Sequence, residues 1–508
     1  MSTERADVCP DAAVGTDATR ATRFCSTGFV SEASCPTLSR RLIHSSEIRF
    51  SEIISALSVA LDITQGHPEG HSMRSALIGM RLAEQLRLSS NESSALFYAL
   101  LLKDLGCSSN AAKMAYLFGN DDQRVKRSAR MIDWTKPGQC IRHCWTNCGS
   151  EETSTLGKLK RVASIMSLGA EGGRRIAEVR CERGADIARM LNLPEATARA
   201  IYDLDEHWNG RGNPQGLRGE EISLLGRICC LAQTVEVFFS TFGLEAALDI
   251  AIERRGRWFD PDLVDALLAL RSESAFWQRL ESPNPADALS HVEPQDAVMI
   301  ADETCLDRVA EAFAQVVDAK SPWTYQHSTR VAEITVGIAR QFNCPTEVVR
   351  DLRRAALLHD VGKLGVSNRI LDKPGRPTDA EFAEIRKHAE YSHRILQRIE
   401  AFQELAEVAG AHHERLDGRG YHRGLSAEQL PWATRALTVA DIFEAMSAKR
   451  PYRDAMSWEE ICELLHNDVG AGVDAECVAA LEHWLVAGQL ESNVDQQLAE
   501  VDRLISNW

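Results

Sequence analysis

An adjacent histidine and aspartate, His359 and Asp360, stand in the run LLHDVGKLG at residues 357–365 and are the side chains of this chain best placed for chemistry. Neighbours on a helix splay by about 100°, so such a pair can grip two adjacent cations from one edge of a cavity. Lys363 follows four residues after His359 and three after Asp360, which predicts that it projects from the same face, where an ammonium can meet a phosphate. The preceding Ala355, Ala356, Leu357 and Leu358 imply that this helix is buried. An imidazole beside a carboxylate is costly to bury without partners, and metal coordination is a common way to satisfy both.

More nitrogen and oxygen donors occur in order along the chain. His327 shares a stripe with Val331, Ile334 and Ile338, the i, i+4, i+7, i+11 spacing of a core-facing helix. His388 occupies the apolar side of KHAEYSHRILQRI, His412 and His413 form a second adjacent pair, and Asp441 interrupts the apolar run ALTVADIFEAM. A lone buried histidine is ordinarily a hydrogen-bonded core residue, and His291, His393, His422 and His466 are read as surface or supporting residues. Five histidines and two aspartates in sequence are instead enough for two cations, one bridging carboxylate and open positions for water, the equipment of phosphoryl chemistry. Arg450 and Arg453, with Arg435 upstream, would give a dianionic ligand its local positive field; the plainer alternative is that they are solvated charges at a helix end.

These side chains must be positioned by helices, since almost every patterned segment has helical spacing and few alternate as strands do. At 508 residues the chain exceeds one hydrophobic core. Four blocks recur in the same order in its two halves. HSMRSALIGMRLAEQL, ALLLKDLG, HWNGRGNPQGLRGEEI and FDPDLVDALL are answered by HSTRVAEITVGIARQF, ALLHDVGKLG, HHERLDGRGYHRGLSAEQL and VDAECVAALE. This predicts a tandem duplication: a flexible tail over 1–46, a first helical domain over 47–281, a proline- and acid-rich linker over 282–299, a second domain over 300–490 and a helical tail over 491–508. In the first half Lys103 stands for His359, Arg180 for His388, Leu204 and Asp205 for the histidine pair, and Gln233 for Asp441. Only His71 and Asp104 survive, so that half is expected to be a scaffold or regulator.

Composition narrows the remaining classes. Hydrophobic residues at 44% and charged residues at 26% fit a soluble protein, and a net charge of −16 argues against a broad nucleic-acid surface. No apolar run is expected to span a membrane, and the first residues lack the pattern of a secretory signal. Fourteen scattered cysteines read as reduced thiols of a cytoplasmic protein. Cys140, His143, Cys144 and Cys148 in CIRHCWTNC match no standard zinc-finger spacing and read as an ordinary cysteine-rich insertion.

The segments LLHDVGK, KPGRPTDAEFAEIRKHAEYS, HHERLDGRGYHRGL and VADIFEAMSAKRPYR together resemble the HD-GYP phosphodiesterases. The resemblance implies an all-α fold of two tandem HD-domain-like helical bundles, the first degenerate. It implies a metal-dependent phosphodiesterase that opens cyclic di-GMP to linear pGpG through a metal-bridging hydroxide, with GMP as a further product left open. By that resemblance His327, His359, Asp360, His388, His412, His413 and Asp441 hold two divalent metal ions, iron or manganese, with Asp360 as the bridge. Lys363 would hold the scissile phosphate and help protonate the leaving oxygen, while Gly420, Tyr421, Arg450 and Arg453 would contact the rest of the substrate. Three departures stand out: His422 replaces the proline of the signature tripeptide, Glu444 replaces an aspartate, and Trp323 stands where three-metal members carry glutamate, which predicts two metals. The altered loop keeps two alternatives open, a phosphodiesterase for another cyclic dinucleotide such as cyclic GMP-AMP, and a catalytically weak cyclic-dinucleotide receptor. A homodimer and a signalling partner protein are also left open.

Overall fold

The computed structural model describes residues 48–149, 153–282, 285–449 and 453–488. The tails read at 1–46 and 491–508 lie outside the described residues, as does Arg450. Among the described residues the elements are helices, with isolated bridges in place of strands, in agreement with the all-α expectation. One helix, Leu224–Phe242, is long and apolar enough to cross a membrane, contrary to the sequence reading, but most of it is buried in the core.

In the second half the central helix is His327–Gln341, and it buries the stripe His327, Val331, Ile334 and Ile338 that its spacing predicts. Its first turn is capped from a distance by the buried Asp318 carboxylate, which accepts the Ser328 amide at 3.2 Å and the Ser328 hydroxyl at 2.7 Å. The helix packs among Thr346–Leu358, Trp432–Ser447 and Ala475–Val486. Gly337 makes that closeness possible, because a Cβ there would lie 2.4 Å from the Trp484 ring. The helix Asp379–Leu396, which carries His388, starts in a capping box in which Thr378 and Glu381 bond each other's backbone amides.

The His359–Asp360 pair departs from its sequence picture. Thr346–Leu358 ends just before it, Asp360 leaves the helical angles at φ −96° and ψ 8°, and Val361–Gly365 forms a 3-10 turn. Gly362 explains the tight turn: its amide donates to Ser392 Oγ at 2.9 Å, and a Cβ would lie 2.0 Å from the His388 carbonyl oxygen. The turn therefore tucks against the backbone of the helix Asp379–Leu396, and Lys363 still reaches Asp360.

The two halves share several internal bonds. Asp62 accepts from the Ser72 amide and hydroxyl at 3.0 and 2.6 Å, as Asp318 does from Ser328. His71 and Arg74 both bond Glu236, as His327 and Arg330 both bond Glu444. The Glu206 carboxylate gathers the amides of Gln215, Gly216 and Leu217, and the Glu414 carboxylate gathers those of Arg423, Gly424 and Leu425. The halves are tied together where Phe50 donates to the Met299 carbonyl and Ala301 to that of Ile48, each at 2.8 Å. Glu293, within the segment read as a linker, is buried and accepts from Ser51 at 2.9 Å and Tyr98 at 3.3 Å.

Candidate metal centre

Five helix ends and faces deliver the seven side chains singled out in the sequence to one place. Asp360 lies at its middle and turns one carboxylate oxygen each way. Oδ2 is 3.1 Å from His327 Nε2 and 3.3 Å from His359 Nε2, while Oδ1 is 3.4 Å from His388 Nε2 and 3.8 Å from His412 Nε2. Asp441 places Oδ1 3.3 Å from His327 Nε2 and 3.7 Å from His359 Nε2, and Oδ2 3.9 Å from His413 Nδ1. The donor atoms of His327, His359 and Asp441 lie within 4.8 Å of one another, as do those of His388, His412 and His413; a third trio, His359, Asp360 and His412, spans the two.

Hydrogen bonds behind the rings decide which nitrogens face inward. His359, His388 and His412 each donate from Nδ1 to the carbonyl three residues earlier, of Ala356, Ile385 and Ala409, at 2.5, 2.6 and 2.6 Å. That fixes the tautomer, leaving a lone pair on each inward Nε2 when the ring is neutral. Burial pushes His388 down to about 3 and His413 to about 4, and burial with the neighbouring imidazoles holds His412 well below its usual range, so this trio stays neutral. His388 Nε2 and His412 Nε2 then face each other at 3.2 Å with a lone pair on both. Two such lone pairs repel, and a cation that accepts both removes the repulsion.

The other trio is ionic. Burial works against protonating His359, but Asp360 and Asp441 outweigh it and raise the ring to about 9. Burial likewise opposes charge on His327, and Glu444, Asp360 and Asp441 raise it well above its usual range. A divalent cation held in this carboxylate-rich pocket would have to displace these protons. Among the described residues His327 Nε2, His359 Nε2 and Asp360 Oδ1 are buried without a well-aligned hydrogen bond, although carboxylate oxygens lie close to both nitrogens, and atoms of these types aimed at common points suit a cation bound by mixed imidazole and carboxylate ligands.

Glu444 orients this side of the site. It bonds His327 Nδ1 directly and is itself held by Arg330 Nε at 2.8 Å. Glu444→Gln should weaken metal affinity by about 10- to 100-fold, read by titrating the purified protein with Mn²⁺; an unchanged affinity would remove Glu444 from the account.

The rim is cationic and aromatic. Lys363 bonds Asp360 and remains partly exposed. Tyr421 lies over His413 with ring centroids 4.8 Å apart, and the Arg386 guanidinium sits 4.5 Å above the Tyr421 ring. Gly420 is required beneath them, because a Cβ would meet Glu414 Cα at 2.3 Å. Arg453 donates to the carbonyls of Ala445 and Met446 at 2.7 and 2.8 Å, so its described bonds include a helix-end role. Arg435 corrects the sequence picture: its guanidinium bonds Asp474 and the carbonyls of Ala427 and Leu430, and it braces the fold. Trp323 lies in the turn Pro322–Thr324 and offers no carboxylate. Arg330 and Arg386 escaped the sequence reading, although their positions, three residues after His327 and two before His388, were the available signal.

The corresponding place in the first half is filled by its own cations. Lys103 Nζ lies 2.5 Å from Asp104 and 3.1 Å from Ser72 Oγ, Arg130 spans Asp104 and Asp205 at 3.3 and 3.4 Å, and Arg180 pairs with Asp205. Burial alone would raise the Asp104 carboxyl, yet Lys103 and Arg130 hold it far below its usual range. Cys140, His143, Cys144 and Cys148 form no metal-spaced group among the described residues; Cys140 bonds the Trp134 carbonyl, and His143 packs edge-on against Phe118 and Trp134.

The sequence profile of the HD domain family matches residues 170–263 and 311–477. A 3'3'-cGAMP-specific phosphodiesterase 3 of Vibrio cholerae is 43% identical over 435 residues, covering 86% of this chain and 94% of that protein. A cyclic di-GMP phosphodiesterase of Pseudomonas aeruginosa is 35% identical over 191 residues, 37% of this chain and 46% of that protein. A crystal structure of a cyclic GMP-AMP specific phosphodiesterase of V. cholerae matches with a TM-score of 0.61 and 39% identity, over 87% of this chain and 98% of that one.

Proposed function

The chain belongs to the HD domain family, and on that premise we propose that it is a cyclic-dinucleotide phosphodiesterase whose substrate is 3'3'-cyclic GMP-AMP. This replaces cyclic di-GMP, the first expectation from the sequence, with its stated alternative. The relative that spans both halves carries the cyclic GMP-AMP name, while the cyclic di-GMP enzyme cited above aligns over little more than a third of the chain. The observation that most supports the chemistry is the central Asp360, one oxygen toward each trio of donors.

In this reading His327, His359 and Asp441 would hold one divalent cation, His388, His412 and His413 the other, and Asp360 both. Iron or manganese suits such nitrogen and oxygen donors. The pair would supply Lewis acidity toward the phosphate and lower the pKa of a coordinated water. The chain's own part is positional. Glu444 and three backbone carbonyls aim the imidazoles, and Lys363 brings an ammonium to the edge of the site, where it can hold the scissile phosphate and give a proton to the leaving oxygen. Tyr421 and Arg386 form a stacking wall at the rim, on which a base can lie. Arg450 and Arg453 would contact the rest of the substrate. The first half is in this reading a degenerate copy in which Lys103, Arg130 and Arg180 supply the positive charge that cations supply in the second. We place the enzyme in the cytoplasm, where cyclic dinucleotides act and thiols stay reduced.

The test is turnover of 3'3'-cyclic GMP-AMP and cyclic di-GMP by the full chain loaded with Fe²⁺ or Mn²⁺. A kcat/KM at least about 10-fold higher for cyclic GMP-AMP, a difference of ~1.4 kcal/mol, is expected. A preference for cyclic di-GMP would restore the first expectation, and tight binding without cleavage would make the protein a receptor.

A further inference from the structure

The second half does not hold its catalytic turn alone. The carbonyl of Leu364, the residue after Lys363, accepts one hydrogen bond from each half: from Gln123 Nε2 at 3.2 Å and from Lys320 Nζ at 3.3 Å. Four residues on, the Asn368 amide donates to Asp122 Oδ1 at 2.9 Å. Asp122 Oδ2 lies 3.0 Å from Lys126 Nζ and 4.0 Å from Lys320 Nζ. Lys126 continues the chain of bonds to the Thr64 carbonyl at 3.3 Å, which ends the helix Phe50–Thr64 that packs along Val361–Gly365 and Asp379–Leu396. Ile63 closes over Gly365, whose added Cβ would lie 3.3 Å from Ile63 Cγ2.

The charges in this junction are almost fully buried, with side-chain exposures of 0% for Asp122, 1% for Lys320 and 7% for Lys126. A carboxylate buried between two ammoniums is strongly specified in place, because loss of one member leaves the others uncompensated. The turn is thus gripped by the first half at Leu364 and Asn368, while Asp360 and Lys363 of the same turn pair with each other at the candidate metal centre.

We propose that Asp122 and Gln123 of the first half are positioning residues that set the placement of the Asp360–Gly365 turn, and through it of Asp360 and Lys363. The inference rests on the phosphodiesterase reading above for its kinetic readout, and a second readout is independent of any nucleotide. A shift of about 1 Å at a catalytic group can cost 10²-fold in rate, so a side chain bonded to the carbonyl one residue after Lys363 has leverage that ordinary interface residues lack.

The experiment uses the full chain with three substitutions. Gln123→Met keeps side-chain length and removes only the amide, Asp122→Asn removes the charge, and Glu69→Gln breaks the exposed pairs with Arg394 and Arg398 elsewhere on the same junction. Metal per chain, kcat and KM are measured, together with the visible absorption of the Co²⁺-loaded protein, which reports ligand geometry whatever the substrate. We expect kcat to fall about 3- to 10-fold in Gln123→Met and about 10- to 100-fold in Asp122→Asn. KM and metal content should be held, the Co²⁺ bands shifted in Asp122→Asn, and Glu69→Gln should match the wild type. Should Asp122→Asn fail to fold, Gln123→Met decides alone. Wild-type kcat in Gln123→Met, or a fall no larger than in Glu69→Gln, overturns the proposal. Inactivity of the wild type on both nucleotides would sink the substrate assignment instead, and the Co²⁺ spectra of the same variants would then decide the coupling: shifted bands keep it, unchanged bands end it.

Discussion

Asp360→Asn will abolish turnover, by at least about 10³-fold, because the seven side chains act as a unit and this one serves both trios. The substitution preserves shape and leaves one oxygen, but it removes the charge that His327, His359 and Lys363 surround. Burial alone would raise the Asp360 carboxyl, and it is His359, Lys363 and His327 that hold it well below its usual range, so it is ionised when it meets a cation. A neutral amide there offers one weak acceptor toward one trio and an N–H toward the other. Metal content should fall with activity. An Asp360→Asn protein that keeps both its metals and its rate would remove the bridge from the mechanism.

Gly362→Ala is expected to be nearly as severe while adding only a methyl group. The new Cβ would lie 2.0 Å from the His388 carbonyl oxygen, 2.6 Å from the Ser392 nitrogen and 2.8 Å from Tyr391 Cβ. Two of these are backbone atoms of a capped helix and cannot rotate away, so the turn must lift off the helix. Overpacking of this kind costs about 1–3 kcal/mol in stability, and displacing Asp360 and Lys363 from His388 should lower kcat by about 10²-fold. Steady-state kinetics and thermal unfolding measure both effects; wild-type values in each would show that the turn tolerates separation from the helix.

The seven candidate side chains could be picked out of the sequence because metal chemistry, if present, restricts residue type. Imidazoles and carboxylates on apolar helical faces have few other uses, and all seven candidates converge. The backbone that presents them was less legible. The spacing of His359, Asp360 and Lys363 fits a helix, but Gly362 lets the chain tighten into a 3-10 turn against a helix that begins fourteen residues later, a contact no local pattern encodes. Arginines were read least well. Arg435 braces the loop before its own helix, while Arg386 stacks on Tyr421 at the rim, because a guanidinium takes whichever carboxylate, carbonyl or ring the tertiary fold brings within reach. The cross-half grip on Leu364 was hidden for the same reason: Asp122 and Gln123 sit in a polar run, DDQRVKRSAR, that looks like solvated helix surface. Substrate choice left only one sequence feature, the signature loop altered at His422, since two cyclic dinucleotides that share one base and both phosphates differ only in the edge of the other.

The measurement that bears most directly on the metal centre is the number of divalent ions per chain in the purified wild type and in Asp360→Asn, by elemental analysis after dialysis. About two ions per chain in the wild type and fewer than one in the variant are expected of a centre bridged by a single carboxylate. A wild-type chain that retains no metal, or a variant that retains both ions, would contradict it.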